Sequence, residues 1–265
     1  MKNFYLCIFM ILLISCRNES SRSLQTGKDY ILITSNISSV MPLIIHSSLN
    51  SSQVKANLTD QFDTNNTCAL FQYISGDTTS MIGPIVYDID FQHGCSDSDG
   101  VHKAGLIHCS LDEYLASVNG TCSVDFDGLQ IGGDFLWGGL DIVTYNLNSW
   151  KIITRNLRLQ SGKKNIILED TLIFNKIVGQ STSNLILDDD FLISTNGHLI
   201  DRNNVIGNGY SDNIYKMTYC RWLSQGIIEI DLSDGINQII NFGDNECDNQ
   251  AMFELGENQY VVEMQ

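Results

Sequence analysis

A chain of 265 residues with 43% hydrophobic composition can bury the core of one large domain or two small ones. Only 17% of the residues are charged, and 31 acids against 15 bases leave a formal charge of −16. Phosphate backbones and anionic lipid surfaces repel such a chain, which argues against nucleic-acid binding and polybasic membrane docking.

The N-terminus opens with Lys2, followed by an unbroken apolar run over residues 4–14. A basic start and a short apolar stretch read as a secretory signal, too short for a comfortable membrane span. Leu13-Ile14-Ser15-Cys16 then resembles the lipobox of bacterial lipoproteins. Small Ser15 admits a protease, and the Cys16 thiol is the nucleophile that takes up diacylglycerol. Two or three acyl chains hold a protein on a bilayer where one does so only marginally. The polar stretch behind Cys16 suits a flexible tether, residues 16–28. An ordinary secretory signal is the alternative, and Asn36, Asn57 and Asn119 head glycosylation sequons that a secreted glycoprotein would use.

Residues 29–84 read as mixed, with a strand at 30–33 and a helical pattern only at 48–62. No further stretch reads as a membrane span. From residue 85 onward, short β-type runs alternate with turn signals. In 85–91, Tyr87, Ile89 and Phe91 fall on one face and Asp88 and Asp90 on the other, as in a half-buried strand. Cys122, Val124 and Phe126 alternate likewise. Further strands are expected at 140–147, 150–159, 166–174, 184–195, 214–222, 226–232, 236–242, 251–255 and 260–264. Turn dipeptides lie between them: Asp99-Gly100, Asn119-Gly120, Asp127-Gly128, Asn196-Gly197, Asn208-Gly209 and Asp234-Gly235. The expected fold is all-β, an antiparallel meander, barrel or sandwich over residues 85–265, with at most one short N-terminal helix.

The last third carries Cys220-Arg221-Trp222, then Ser224-Gln225-Gly226-Ile227-Ile228-Glu229-Ile230, then Phe242-Gly243-Asp244-Asn245-Glu246-Cys247-Asp248-Asn249. With Asp90-Phe91-Gln92-His93-Gly94-Cys95-Ser96-Asp97 upstream, this resembles uncharacterised lipoproteins common in Bacteroidota-type bacteria. Asn245, Gln225 and Gln92 stand where those proteins carry other residues, which puts turn geometry in question. The resemblance implies export, an acylated cysteine and a β-rich body. It brings no catalytic residues.

Beyond Cys7 and Cys16 there remain Cys68, Cys95, Cys109, Cys122, Cys220 and Cys247, an even set that an oxidising compartment would pair. Sequence alone does not choose among the connectivities. Cys109 with Cys122 and Cys220 with Cys247 would staple neighbouring strands, leaving Cys68 with Cys95; unpaired structural thiols are the alternative. No two of these cysteines show the short spacing of a zinc site. Asp97-Ser98-Asp99-Gly100 looks like the front of a calcium loop but has no downstream glutamate, so it reads as an Asp-capped turn. Asp188-Asp189-Asp190 reads as a solvated strand start. His46, His93, His102, His108 and His198 form no metal spacing, and no serine-hydrolase elbow occurs. Trp137, Trp150 and Trp222 are expected in the core rather than on a sugar-binding surface.

The expectation is therefore an envelope lipoprotein on the outer membrane, periplasmic or surface-exposed, acting as a binding or structural module. Its partners would be the bilayer, through the acyl anchor, and a protein or glycan ligand. No cofactor, metal or catalytic residue is expected. The rival is a hydrolase of envelope or dietary glycans using converging carboxylates.

Overall fold

A computed structural model describes residues 2–49, 68–77, 84–181 and 187–264, with side chains from Ser21 onward. One helix, α1 (Lys2–Ser47), precedes fifteen strands. They are β1 (Leu70–Ser75), β2 (Ile85–Asp90), β3 (Cys95–Ser96), β4 (His102–Ala104), β5 (Leu106–Leu111), β6 (Thr121–Ile131), β7 (Asp134–Asn146) and β8 (Ser149–Ser161). There follow β9 (Lys164–Val178), β10 (Asp190–Ile200), β11 (Ile206–Met217), β12 (Gln225–Leu232), β13 (Asn237–Asp244), β14 (Gln250–Leu255) and β15 (Asn258–Glu263).

The expected all-β class is what the structure shows. Every neighbouring pair is antiparallel, and the strands follow one another across a single meander sheet, with the small β3–β4 hairpin attached to β6. Among the described strands β1 and β15 do not pair with each other, so the sheet has two free edges. The sheet curls around α1. Thr26 and Tyr30 of the helix bond to groups on β9, β10 and the β10–β11 turn, while Ser47 and Ser48 reach Tyr87 on β2. Gly27 lies so close to β13 and β14 that a Cβ there would stand 2.6 Å from Gln238 and Phe253.

This helix corrects the reading of the N-terminal region. The stretch 16–28 is helical rather than a flexible tether, and residues 30–33 are helix rather than strand. The expected helical window 48–62 falls mostly outside the described residues; α1 ends at Ser47, where Leu115 and Ala116 donate their backbone N–H groups to the Ser48 and Leu49 carbonyls. The helix carries Ile and Val on nearly all sides, with Tyr30, Ile33, Ile37, Met41 and Ile44 each 0% exposed. A helix that is apolar all round belongs inside a protein or a membrane. Ser21–Ser47 is long and apolar enough to cross a bilayer, but 89% of its most apolar window is buried inside the sheet.

The strand faces follow the sequence alternation. Tyr87, Ile89, Phe91, Cys122, Val124 and Phe126 are all buried. Asp88 keeps its outward face, where it is covered by pairing with the partly exposed His108 directly opposite it at 2.6 Å. Of the six turn dipeptides, Asp99-Gly100, Asn119-Gly120 and Asp234-Gly235 lie in turns or bends. The other three lie within strands. Asp127-Gly128 forms a bulge in β6. Asn196-Gly197 and Asn208-Gly209 face each other across β10 and β11. The reason is space: a Cβ on Gly209 would collide with the Tyr30 ring, and one on Gly197 with the Asp170 side chain.

Gln92 and Asn245, two of the departures from the lipoprotein-like pattern, both take positive φ, 54° and 70°. The turn geometry is thus kept without glycine, and the Asn245 carboxamide oxygen accepts a 3.0 Å bond from the Ser224 hydroxyl.

Candidate functional site

The cysteines divide into two disulfides and two thiols. Cys68–Cys95 and Cys220–Cys247 are bonded, with Cα atoms 6.0 and 5.7 Å apart. Cys109 and Cys122 are free and buried, which corrects the third expected pairing. Register explains it: Cys109 lies opposite Val124, and Cys122 opposite Leu111, so the two are only diagonal neighbours. Diagonal positions in an antiparallel pair stand about 7–8 Å apart, beyond the usual disulfide span. Burial pushes the Cys109 thiol well up, further raised by its contact with Cys122. Cys16 lies in the helical stretch whose side chains are not described.

The acidic motifs are spent on structure. Asp97 and Asp99 both hold the buried Lys103 ammonium, at 3.0 and 2.9 Å, and their other oxygens accept backbone N–H groups of the same turn. Lys216 is fully buried near this cluster and donates to the Met217 and Cys220 carbonyls; burial lowers its pKa to about 7. Asp189 pairs with Lys176 at 2.6 Å, yet desolvation, with Lys176 opposing, raises its pKa to about 7. Asp190 accepts from the Tyr215 hydroxyl at 2.6 Å. Inside the sheet, Tyr30 donates to Asp170 at 3.0 Å and bonds Thr195, while the Asn196 N–H donates to the other Asp170 oxygen.

His102 and His108 sit on different strands, β4 and β5, and His108 is tied to Asp88. Among the described residues no group of three or more His, Cys, Asp or Glu is arranged to hold a metal. Trp150 is core, its indole N–H donating to the Leu115 carbonyl at 3.2 Å; Trp137 lies over Gly128. Of the sequons, Asn36 is 4% exposed inside the sheet, Asn119 is exposed, and Asn57 lies outside the described residues.

A pocket of about 380 Å³ lies beside the N-terminal part of the buried helix. It is assembled from distant segments: Lys28 and Leu32 of α1, Asp134 at the start of β7, Arg202 in the β10–β11 turn, Arg221-Trp222 in the β11–β12 corner, and Glu263 at the end of β15. Each charged side chain has a different status. Arg202 clamps the fully buried Asp29 through three contacts of 2.6 to 3.0 Å, and its backbone N–H donates to the same carboxylate. Arg221 lies over Trp222, its Cζ 4.4 Å from the ring centroid. The Asp134 carboxyl is raised chiefly by desolvation, with Ser161, Arg202 and Arg221 pulling the other way.

The Cys220–Cys247 disulfide ties the corner carrying Arg221 and Trp222 to the β13–β14 turn, and Ser224 bonds Asn245 across the same junction. This corner is therefore pre-positioned. Sequence reading singled out Arg221, Trp222 and the two cysteines as a motif but gave no sign that Lys28, Asp134 or Arg202 would join them. A smaller cavity of about 200 Å³ at the other end of the helix is lined by His46, Leu115, Trp150 and the Lys176–Asp189 pair. Compared with protein-family models, curated proteins and solved structures, the chain matches none.

Proposed function

We propose that the protein is an exported lipoprotein, cut before Cys16 and held on the cell envelope by acyl chains on that cysteine, with its β body serving as a binding or structural module. One observation supports this best. The stretch of α1 from Ser23 to Ser47 that the sheet encloses lies after Cys16, so cleavage at that point keeps it in the mature chain. The sheet also accounts for the apolar character of Ser21–Ser47, so membrane attachment falls to the lipid. The lipobox-like Leu13-Ile14-Ser15-Cys16 and the resemblance to Bacteroidota-type lipoproteins point the same way.

Labelled palmitate fed to cells expressing the wild type and Cys16→Ala tests this reading. Label in the membrane fraction for the wild type, with loss of label in the variant, is expected. Label retained by Cys16→Ala overturns it, as does a mature wild-type chain that begins elsewhere.

A second reading, glycan hydrolysis, draws on the presence of Asp134 and Glu263 in one pocket and the raised Asp134 carboxyl, the condition a general acid needs. It expects glycoside turnover by the wild type that Asp134→Asn abolishes. Equal turnover by both removes it.

A further inference from the structure

We propose that the pocket beside the N-terminal part of the buried helix is a binding site for a small oxyanion, a carboxylate or phosphate carried on a short apolar group. This deepens the binding half of the function proposed above and does not involve acylation of Cys16.

The argument starts from which charges are already used. Arg202 is committed to Asp29, so it builds the wall. Arg221 forms no ion pair among the described residues; its Cζ lies over the Trp222 ring, a contact that uses none of its N–H groups on a carboxylate. One of its terminal nitrogens lies beside Gly132, where an added Cβ would come within 3.3 Å of Nη2, so glycine keeps the approach to that nitrogen open. Lys28 also forms no ion pair among the described residues and lines the same space. Lys28 is exposed and Arg221 half-buried, so the cavity presents two cations that carry no direct ion pair among the described residues.

The two carboxylates of the pocket make no direct pair with these cations, and the pull of Arg221 on Asp134 acts at longer range. Neither Asp134 nor Glu263 approaches Arg221 or Lys28 within ion-pair distance. The aromatic face that would receive a cationic ligand is also taken, because Arg221 covers Trp222. An oxyanion meets the planar N–H fork of Arg221 edge-on, in the bidentate geometry that guanidinium offers carboxylate and phosphate. Ile31, Leu32 and Met264 form the apolar side. The volume, about 380 Å³, lies in the range of small-molecule sites.

The test uses the purified full-length protein and the fluorescence of its tryptophans, of which Trp222 lies in the pocket. Inorganic phosphate and butyrate are titrated separately into the wild type, Arg221→Gln, Arg221→Lys, Lys28→Gln and, as a control, the exposed Lys151→Gln. A saturable response to at least one anion is expected. It should weaken about ten-fold in Arg221→Gln, the loss of about 1.4 kcal/mol expected for a charge-assisted pair. Lys28→Gln should weaken it several-fold, and Lys151→Gln should leave it unchanged. Arg221→Lys keeps the charge but not the fork; a several-fold loss there, in a variant with native circular dichroism, separates recognition from folding. Absence of a saturable response to both anions, or undiminished affinity in Arg221→Gln and Arg221→Lys, overturns the proposal. Neither result bears on the palmitate experiment, so the anchor stands or falls separately.

Discussion

Two neighbouring stretches of the enclosed helix show opposite treatment of polar groups in the same dry interior. In the first, Thr26, Asp29 and Tyr30 reach across the chain to Asp201, Arg202, Asp170 and Thr195, and each polar atom named finds a partner. One turn later, Thr34, Ser35 and Asn36 are equally buried, yet among the described residues the Thr34 and Ser35 hydroxyls and the Asn36 amide nitrogen have no hydrogen-bond partner. Burying a polar group without a partner costs about 1–3 kcal/mol, whereas a paired one is modestly favourable. The first stretch therefore fixes how far the helix slides within the sheet. The second tolerates its losses because the surrounding Ile33, Ile37 and Met41 supply apolar burial.

That contrast breaks most sharply at Asp29. Asp29→Ala leaves the partly exposed Arg202 guanidinium without its carboxylate and should destabilise the fold by about 3 kcal/mol, read from urea midpoints. The double variant Asp29→Leu with Arg202→Met should regain most of that loss; if it does not, the pair is needed for more than mutual neutralisation. Tyr30→Phe removes one hydroxyl from the Asp170 and Thr195 cluster and should cost about 2 kcal/mol in the same assay. In the second stretch the sign reverses. Thr34→Val deletes an orphaned hydroxyl at nearly constant volume and should stabilise by about 1 kcal/mol.

Two further effects are read against pH. Folded Lys216 releases its proton near 7, while the unfolded chain holds it up to its ordinary value of 10.5. The unfolded state thus binds more protons across that window, and this group makes stability rise with pH there. Asp189 acts in the opposite sense. Its folded carboxyl keeps a proton up to about 7 that the unfolded chain loses near 3.8, so its contribution falls as pH rises through that window. Urea midpoints of Lys216→Met should lose the alkaline rise, and those of Asp189→Asn should lose the acid-side fall.

The sheet was readable because period-two alternation survives even in short strands: Tyr87, Ile89 and Phe91, or Cys122, Val124 and Phe126, turn inward as their spacing says. The helix was not. Tyr30, Ile33, Ile37, Met41 and Ile44 do recur at helical spacing, but Thr34, Ser35, Asn36, Ser38 and Ser39 interrupt the run, and Tyr30-Ile31-Leu32-Ile33 taken alone looks like a strand. Asn196-Gly197 and Asn208-Gly209 misled for another reason. Their glycines answer to a tyrosine and an aspartate crossing over them, which local sequence cannot reveal. The pocket was legible only at Arg221-Trp222, since Lys28 and Arg202 are separated by most of the chain and meet only when the sheet has curled.

The enclosed helix also sets an order on how the protein comes into being. Thr26 and its partner Asp201 are 175 residues apart, and the strands that cover Gly27 lie later still, around Gln238 and Phe253. During synthesis a long apolar segment therefore waits, unsheathed, until nearly the whole chain exists. Such a molecule matures late and all at once. Chains cut short before β13 leave Gly27 uncovered and become substrates for proteolysis rather than smaller working domains.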